Sequence, residues 1–285
     1  MIVVTGATGQ LGRQTVEHLL HRLPADRIGV SVRDPNKAEA LAARGVRVRE
    51  GNFTDPAGLA HAFEGAAQVL IVSVDKFGEE AVQQHRTAIE AAVKAGARRV
   101  LYTSHMAASP ASHFQACRDH AATEEILRTC GVPYTALRNG FYAASALQFL
   151  GPALDSGQLA LPEDGPVSWT AHADLAEAAA AILADEGRYE GPTPPLTATR
   201  SLTFADLAAL ATGITGRPFS RTTVPDDAFR RHLAEAGLPA GRVEGLLGVF
   251  TAARAGEFAA QDPALTTLIG HAPVELEAVL REQLA

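Results

Sequence analysis

The stretch Ile2-Val3-Val4-Thr5-Gly6-Ala7-Thr8-Gly9-Gln10-Leu11-Gly12 decides the fold, because four β-branched residues lead directly into a glycine-rich loop. Such a run favours a buried strand, and the apolar spacing that follows predicts a helix. Small residues between a strand and a helix let a pyrophosphate approach the N–H groups at the helix N-terminus. The predicted dinucleotide-binding residues of this loop are Gly6, Thr8, Gly9, Gln10, Leu11 and Gly12.

The glycines follow G-x-x-G-x-x-G spacing, which alone would also suit a tight turn, so the rest of the chain must support a nucleotide site. Short apolar runs and amphipathic helical segments do alternate over the first 140 residues. This pattern predicts an α/β fold, a doubly wound parallel sheet of the Rossmann type. The predicted strands are 2–5, 28–32, 46–50, 69–73, 100–104 and 134–138, and the predicted helices are 10–23, 35–44, 56–63, 79–95 and 117–130.

Beyond Gly140 the alternation loosens, and the remaining segments look mostly helical. We expect residues 1–150 to form the NADP(H)-binding core, with 166–186 packing back on it. Residues 187–285 are expected to form a smaller, mostly helical substrate-capping lobe.

Composition excludes several classes of protein. The 285 residues carry a net charge of −7, whereas proteins that bind nucleic-acid backbones usually carry a basic face. No apolar run is long enough to cross a membrane, and the N-terminus lacks the features of a signal peptide. Cys117 and Cys130 are too far apart on one predicted helix to form a disulfide. We therefore expect a cytoplasmic protein that binds neither nucleic acid nor membranes.

The end of the second predicted strand indicates which dinucleotide is bound. NAD-binding chains usually place a carboxylate there to accept hydrogen bonds from the adenosine ribose. Here Arg33 ends the strand and Lys37 follows, and both can bind a 2′-phosphate. Asp34 is expected to cap the next helix. NADP(H) is favoured, and the alternative is that Arg33 and Lys37 are two solvated surface cations.

Two other strand ends contribute candidate cofactor contacts. Asn52 and Phe53 follow the third predicted strand. Ser73 is the last residue of the fourth predicted strand, and Val74 follows it. A doubly wound sheet binds its ligand at the carboxyl ends of its strands. Phe53 could therefore flank the adenine and Ser73 and Val74 the ribose, although core packing would explain Phe53 nearly as well.

In combination, these residues resemble the atypical short-chain dehydrogenase/reductases, specifically the NmrA-like group and, within it, the type 2 NAD(P)H:quinone oxidoreductases. The resemblance implies a Rossmann core, NADPH as hydride donor, and a small-molecule quinone or similar carbonyl acceptor. It also implies that Asn139, Gly140 and Phe141 lie beside the nicotinamide. The matching stretches are 4–12, 32–38, 102–104, 119–124 and 137–142.

The sequence departs from the wider superfamily at its Tyr-x-x-x-Lys pair, in which Tyr donates a proton and Lys binds the ribose. The Tyr position is Ala116 and the Lys position is His120. The usual proton relay is therefore absent, whereas His120 could bind the nicotinamide ribose in place of Lys. A quinone needs less acid assistance than a ketone, because its reduced form is stabilised by aromaticity.

The remaining candidates surround the expected nicotinamide position. His105 follows Ser104 at the end of the fifth strand and could polarise or protonate the acceptor oxygen, or only line the pocket. Ser104 is a further catalytic candidate, since a reductase is expected to have a serine there. Tyr142 is expected to wall the substrate pocket together with His105 and Phe141. Tyr102 is expected in the core, and the sequence indicates no metal site.

Three functions remain compatible with these residues. The leading one is an NADPH-dependent reductase of quinones or related electron-poor carbonyl compounds. The alternatives are a non-catalytic NADP(H)-sensing regulator and a tailoring ketoreductase. The sequence leaves the oligomeric state open, and an apolar helical face could support a homodimer.

Overall fold

The computed structural model describes residues 1–284, and a parallel β-sheet forms its centre. The strands, in chain order, are β1 (Ile2–Thr5), β2 (Ile28–Val32), β3 (Arg47–Glu50), β4 (Gln68–Ile71), β5 (Arg99–His105), β6 (Tyr134–Asn139), β7 (Phe141–Tyr142), β8 (Gln158–Leu161), β9 (Trp169–Thr170), β10 (Gly191–Pro192) and β11 (Ser220–Thr223). Within residues 1–284 the main sheet has the order β10-β6-β5-β4-β1-β2-β3, with every neighbouring pair parallel.

Helices cover both faces of this sheet. They are α1 (Gln10–Leu20), α2 (Glu39–Ala42), α3 (Pro56–Phe63), α4 (Glu79–Lys94), α5 (Gln115–Arg128), α6 (Ala143–Leu150), α7 (His172–Ala184), α8 (Phe204–Thr215), α9 (Asp226–Glu235), α10 (Ala240–Arg254), α11 (Ala264–Ile269) and α12 (Leu276–Leu284). Val4 packs in one apolar cluster with α1 and α7, and its neighbour Val3 packs in another with α3 and α4. Because successive side chains of a strand point to opposite faces, β1 is apolar throughout.

The doubly wound parallel sheet predicted from the sequence is confirmed. The predicted helix 35–44 is shorter than expected, since a 3-10 turn over Pro35–Ala38 precedes the single turn of α2. The Asp34 carboxylate accepts a hydrogen bond from the Asn36 N–H, as its expected capping role requires. Strand β5 extends to His105, which pairs with Asn139 at the end of β6.

The C-terminal half builds most of a third apolar cluster around several aromatic residues, including Phe204, Phe250 and Phe258. Helices α6, α8, α10 and α12 contribute to it. Helix α7 packs on α1. From 187–285, however, β10 joins the main sheet and α11 packs on α7. The division into a core of residues 1–150 and a lobe of 187–285 stays a prediction.

Both edges of the main sheet carry short strands. At one edge β10 consists of Gly191 and Pro192 alone, and at the other β3 is only partly buried and carries Arg47 and Arg49. Across residues 1–284, every helix is too short or too polar to cross a membrane.

Candidate functional site

The glycine loop is built from its own backbone. Gly6 has φ +62°, and its carbonyl oxygen accepts a hydrogen bond of 2.9 Å from the Gly9 N–H. A Cβ on Gly12 would overlap that same Gly6 carbonyl, so the close approach of helix to loop requires a glycine there. Gly9 is the N-cap of α1 without a side-chain hydrogen bond, and the first turn contains no acidic residue. This helix end can therefore offer its N–H groups to an anion.

Arg33 and Lys37 lie at the carboxyl end of β2, and both are exposed. Within residues 1–284 neither side chain forms an ion pair, while the neighbouring Asp34 carboxylate is engaged by Asn36. Two unpaired cations at this strand end suit a 2′-phosphate, and a carboxylate that would repel it points into a cap instead.

Asn52 and Phe53 lie beyond the end of the neighbouring strand β3. Asn52 is exposed, and its Oδ1 accepts a hydrogen bond from the Thr54 N–H. Phe53 is partly buried and packs against the apolar cluster under α3 and α4. The packing interpretation of Phe53 is therefore the one that its contacts favour.

A cavity of about 450 Å³ lies at the carboxyl ends of β4, β5 and β6. It brings together residues that the sequence analysis had placed in the site from separate segments of the chain. These are Gln10, Leu11, Ser73, Val74, Ser104, His105, His120, Asn139, Gly140, Phe141 and Tyr142. The glycines of the loop, Thr8, Arg33 and Lys37 lie outside its lining, as do Asn52 and Phe53.

Several residues that line the cavity could not be predicted from the sequence. Phe77, Phe114 and Phe149 supply aromatic surface, and Arg242 and Leu246 enter from α10. Residue types such as these are typical of any apolar core, so no local motif distinguishes them as pocket residues. The cavity wall therefore combines aromatic surface with polar and charged side chains, which include Asp75, Lys76, Asp119 and Arg242.

His105 is held in the cavity wall as a neutral ring. Its Nδ1 accepts a hydrogen bond of 3.1 Å from the Ala107 N–H and lies 3.3 Å from the Cys117 sulfur. Burial lowers the pKa of His105 to about 4, against a slight opposing effect of Glu257. Because Nδ1 accepts, the proton of the neutral ring lies on Nε2. His105 is therefore an N–H donor at neutral pH and not a charged acid.

His120 lies beside it, with the two rings stacked at a centroid distance of 6.1 Å. It is partly exposed to the cavity, and its Nδ1 lies 2.7 Å from the hydroxyl oxygen of Tyr102, which is fully buried in the core as expected. Burial, and then the proximity of His105 and His85, lower the pKa of His120 well below its ordinary value. The cavity thus contains two neighbouring neutral imidazoles.

The Ser104 hydroxyl is already engaged in a hydrogen bond within the protein. Its hydroxyl donates a hydrogen bond of 2.6 Å to the Glu124 carboxylate, which Arg138 also binds through two nitrogens at 3.0 and 2.7 Å. The serine proton is therefore occupied by a carboxylate. The lone pairs of the hydroxyl oxygen are what Ser104 can offer a ligand.

Asn139 presents an unpaired polar atom, whereas Gly140 is required by packing within the protein. Asn139 is 2% exposed, and within residues 1–284 its Oδ1 has no hydrogen-bond partner. A buried acceptor left unpaired in a cavity wall is available to accept a hydrogen bond from a bound molecule. At Gly140, a Cβ would collide with Thr170 and with the Leu196 carbonyl oxygen at 2.9 Å. Packing within the protein thus requires that glycine.

Comparison with known proteins agrees with this geometry. The chain is 36% identical over 272 residues to quinone oxidoreductase 2 of Escherichia coli, covering 95% of this chain and 94% of that protein. The crystal structure of the NADPH-dependent quinone oxidoreductase from Escherichia coli complexed with NADPH superposes with a TM-score of 0.93 at 34% identity, over the whole of both chains. The Citrobacter sp. triphenylmethane reductase complexed with NADP(H) gives a TM-score of 0.89 at 32% identity, again over both whole chains.

The glycine loop, the cations after β2 and the stretches around His120 and Asn139 had already pointed to one family. The model of the NmrA-like family matches residues 1–279, nearly the entire chain. This protein therefore belongs to the NmrA-like family.

Proposed function

We propose that this protein is an NADPH-dependent oxidoreductase that passes a hydride to a quinone or a similar electron-poor carbonyl acceptor. The observation that carries the proposal is the pair of neutral imidazoles, His105 and His120, in an aromatic cavity at the carboxyl ends of the strands. The names of the relatives, a quinone oxidoreductase and a triphenylmethane reductase, support a reductase of conjugated ring systems.

The residues present fit the cofactor. The uncapped start of α1 suits the pyrophosphate, and Arg33 and Lys37 suit the 2′-phosphate. The unpaired Oδ1 of Asn139 can accept a hydrogen bond from the nicotinamide carboxamide. His120 can bind a ribose hydroxyl, as the sequence suggested. When bound, NADPH supplies the hydride.

The acceptor would lie against the aromatic wall. Phe141 packs on His105 at a ring-centroid distance of 5.7 Å, and Phe114 lies 6.2 Å away. A flat conjugated ring fits such surfaces, and the Nε2–H of His105 can then polarise its oxygen. A neutral imidazole stabilises developing charge without surrendering its proton at the same step. We assign the final proton of the reduced product to water.

Ketone reduction is less well supported by the site. Ala116 lines the cavity at the position where the wider superfamily has its proton-donating tyrosine. With Ser104 bound to Glu124 and His105 neutral, no strong acid is offered to an alkoxide by these residues. A quinone, whose reduced form is a much weaker base than an alkoxide, needs no such acid.

Loss of NADPH absorbance with a panel of quinones, conjugated dyes and simple ketones tests the proposal. We expect turnover of quinones and little or none of ketones. NADPH binding without turnover of any acceptor would refute the enzyme and favour the cofactor-sensing regulator. Ketone turnover exceeding quinone turnover would favour the tailoring ketoreductase.

We further propose that the reaction takes place in the cytoplasm, which agrees with the two free cysteines, Cys117 and Cys130. The homodimer stays a prediction, and few large apolar side chains are exposed to form its interface. In residues 1–284, Leu154 and Val274 are the only large apolar side chains classed as exposed.

A further inference from the structure

Three aromatic side chains form a hydrogen-bonded row at the cavity wall, to which both of its histidines contribute. His85 on α4, Tyr102 on β5 and His120 on α5 are joined through the Tyr102 hydroxyl, which lies 3.2 Å from His85 Nδ1 and 2.7 Å from His120 Nδ1. His85 is 2% exposed and Tyr102 is fully buried. Two polar side chains at such depth need a role, because each must find hydrogen-bond partners away from water.

One backbone amide fixes the proton position of His85. The Val74 N–H donates a 3.1 Å hydrogen bond to His85 Nε2, which must therefore be unprotonated. Burial lowers the pKa of His85 to about 4, so the ring is neutral and its single proton lies on Nδ1. That proton can point to Tyr102 or to the Thr123 hydroxyl at 3.0 Å.

The Tyr102 hydroxyl has two side chains to which it can donate, His120 through Nδ1 at 2.7 Å and the neighbouring Thr123 hydroxyl, and the short contact favours His120. Burial raises the pKa of Tyr102 well above its ordinary value, so the phenol keeps its proton. His85 Nδ1 already carries a proton and cannot accept another. Donation from the Tyr102 O–H along the 2.7 Å contact to His120 Nδ1 places the proton of the neutral His120 ring on Nε2. Within residues 1–284 no hydrogen bond occupies that Nε2.

We propose that His85 and Tyr102 are positioning residues that lock His120 as the Nε2–H tautomer, with this donor directed to a ligand in the cavity. The row orients and does not conduct protons. If His120 gave its proton away, a new proton could reach it through Tyr102 and His85 only from the Val74 amide. That amide does not release its proton. The effect on cofactor binding rests on the proposed function, whereas the tautomer belongs to the free protein.

The tautomer can be read directly from long-range ¹H–¹⁵N NMR spectra of the ¹⁵N-labelled protein without cofactor. Bare and protonated imidazole nitrogens resonate far apart, and a His120→Gln variant assigns the signal. We expect His120 to show a bare Nδ1 and a protonated Nε2 near neutral pH. A proton on Nδ1 in the wild-type protein would overturn the proposal without any variant having to fold.

Four variants test the row itself. Tyr102→Phe removes the bond to His120 Nδ1, and His85→Leu removes the anchor to Val74. Each should mix the His120 tautomers and weaken NADPH binding about two- to tenfold, the effect of one hydrogen bond. His85→Gln keeps an acceptor and a donor and should restore both readouts. Thr123→Val, a buried change of similar volume, removes the other partner of His85 Nδ1 and should leave the His120 signal as in wild type, because the Val74 N–H still fixes the His85 tautomer.

Unchanged His120 signals in both Tyr102→Phe and His85→Leu would contradict the locking role. A shifted tautomer with unaltered NADPH affinity would contradict the donor's role toward the ligand. Neither result depends on turnover, so a protein that binds NADPH but reduces no acceptor would refute the proposed function and leave the tautomer lock intact.

Discussion

Replacing His105 with phenylalanine separates the hydrogen bond of this residue from its packing. The imidazole lies among the rings of Phe114, Phe141 and Phe258, at centroid distances of 6.2, 5.7 and 5.5 Å. A phenyl ring fills nearly the same space, so the apolar wall should persist. The Nε2–H donor is lost, and so is the Nδ1 acceptor of the Ala107 N–H.

The size of the effect follows from the charge state of the ring. Burial holds the pKa of His105 near 4, so its contribution is one neutral donor bonded to an oxygen that gains charge. Such a bond contributes about 1.5–3 kcal/mol. We therefore expect kcat/KM for a quinone to fall roughly 10- to 100-fold in His105→Phe. NADPH affinity should change by less than about twofold, because no cofactor contact is assigned to this ring.

Steady-state kinetics across pH and a cofactor titration measure both quantities. His105→Gln, which can place an amide N–H near the position of Nε2, should recover part of the lost rate. In the parent enzyme, activity that needs the neutral ring should decline only as pH falls through about 4. Full activity of His105→Phe on every quinone would show that the ring only lines the cavity. If the activity of the parent protein instead changed near pH 6–7, and His105→Phe abolished that change, His105 would be acting as a charged acid.

Three further predictions concern binding and stability. Arg33→Ala should weaken NADPH binding about tenfold and leave NADH binding unchanged. This loss is at the lower end for a charge-assisted hydrogen bond because the Arg33 side chain is exposed. Equal losses for both cofactors in fluorescence titrations would refute the 2′-phosphate contact. Gly12→Ala forces a Cβ onto the Gly6 carbonyl and should lower the free energy of unfolding by about 1–3 kcal/mol, and an unaltered urea midpoint would contradict it. His85 and His105 have pKa values of about 4 when folded and about 6.5 when unfolded, so the unfolded chain binds more protons in between. Stability should be full above pH 6.5 and fall toward pH 4, by up to about 2 kcal/mol per histidine at pH 5, and urea unfolding that is independent of pH over this window would refute it.

The parts of the fold that could be predicted from sequence are those that local chemistry determines. A β-branched strand, a glycine turn and an amphipathic helix are contiguous in 2–20, and together with the βα units that follow they predict a phosphate loop. Arg33 could be interpreted because its distance from a strand end is also local. Asp34 followed the same logic, since a capping carboxylate acts on its immediate neighbours.

The rest of the site depends on tertiary contacts that no spacing encodes. His85 is one polar residue on the amphipathic helix α4, and only the packing of α4 against β5 brings it to Tyr102. Arg242 and Phe149 reach the cavity from helices far along the chain. The charge state of His105 was equally out of reach, because burial and the Ala107 N–H decide it. Sequence therefore identified which strands end at the site, while its walls and proton positions required the structure.

The two short edge strands bear on how this protein avoids self-association. An unpaired edge of a parallel sheet offers a row of N–H and C=O groups on which a strand from another chain can add, which is a route to aggregation. Here one edge ends after two residues, and Pro192 has no N–H to donate to a newcomer. At the opposite edge, β3 has only four residues, and the guanidinium groups of Arg47 and Arg49 beside it bind the end of α3. Both edges therefore offer an added strand few backbone groups with which to pair.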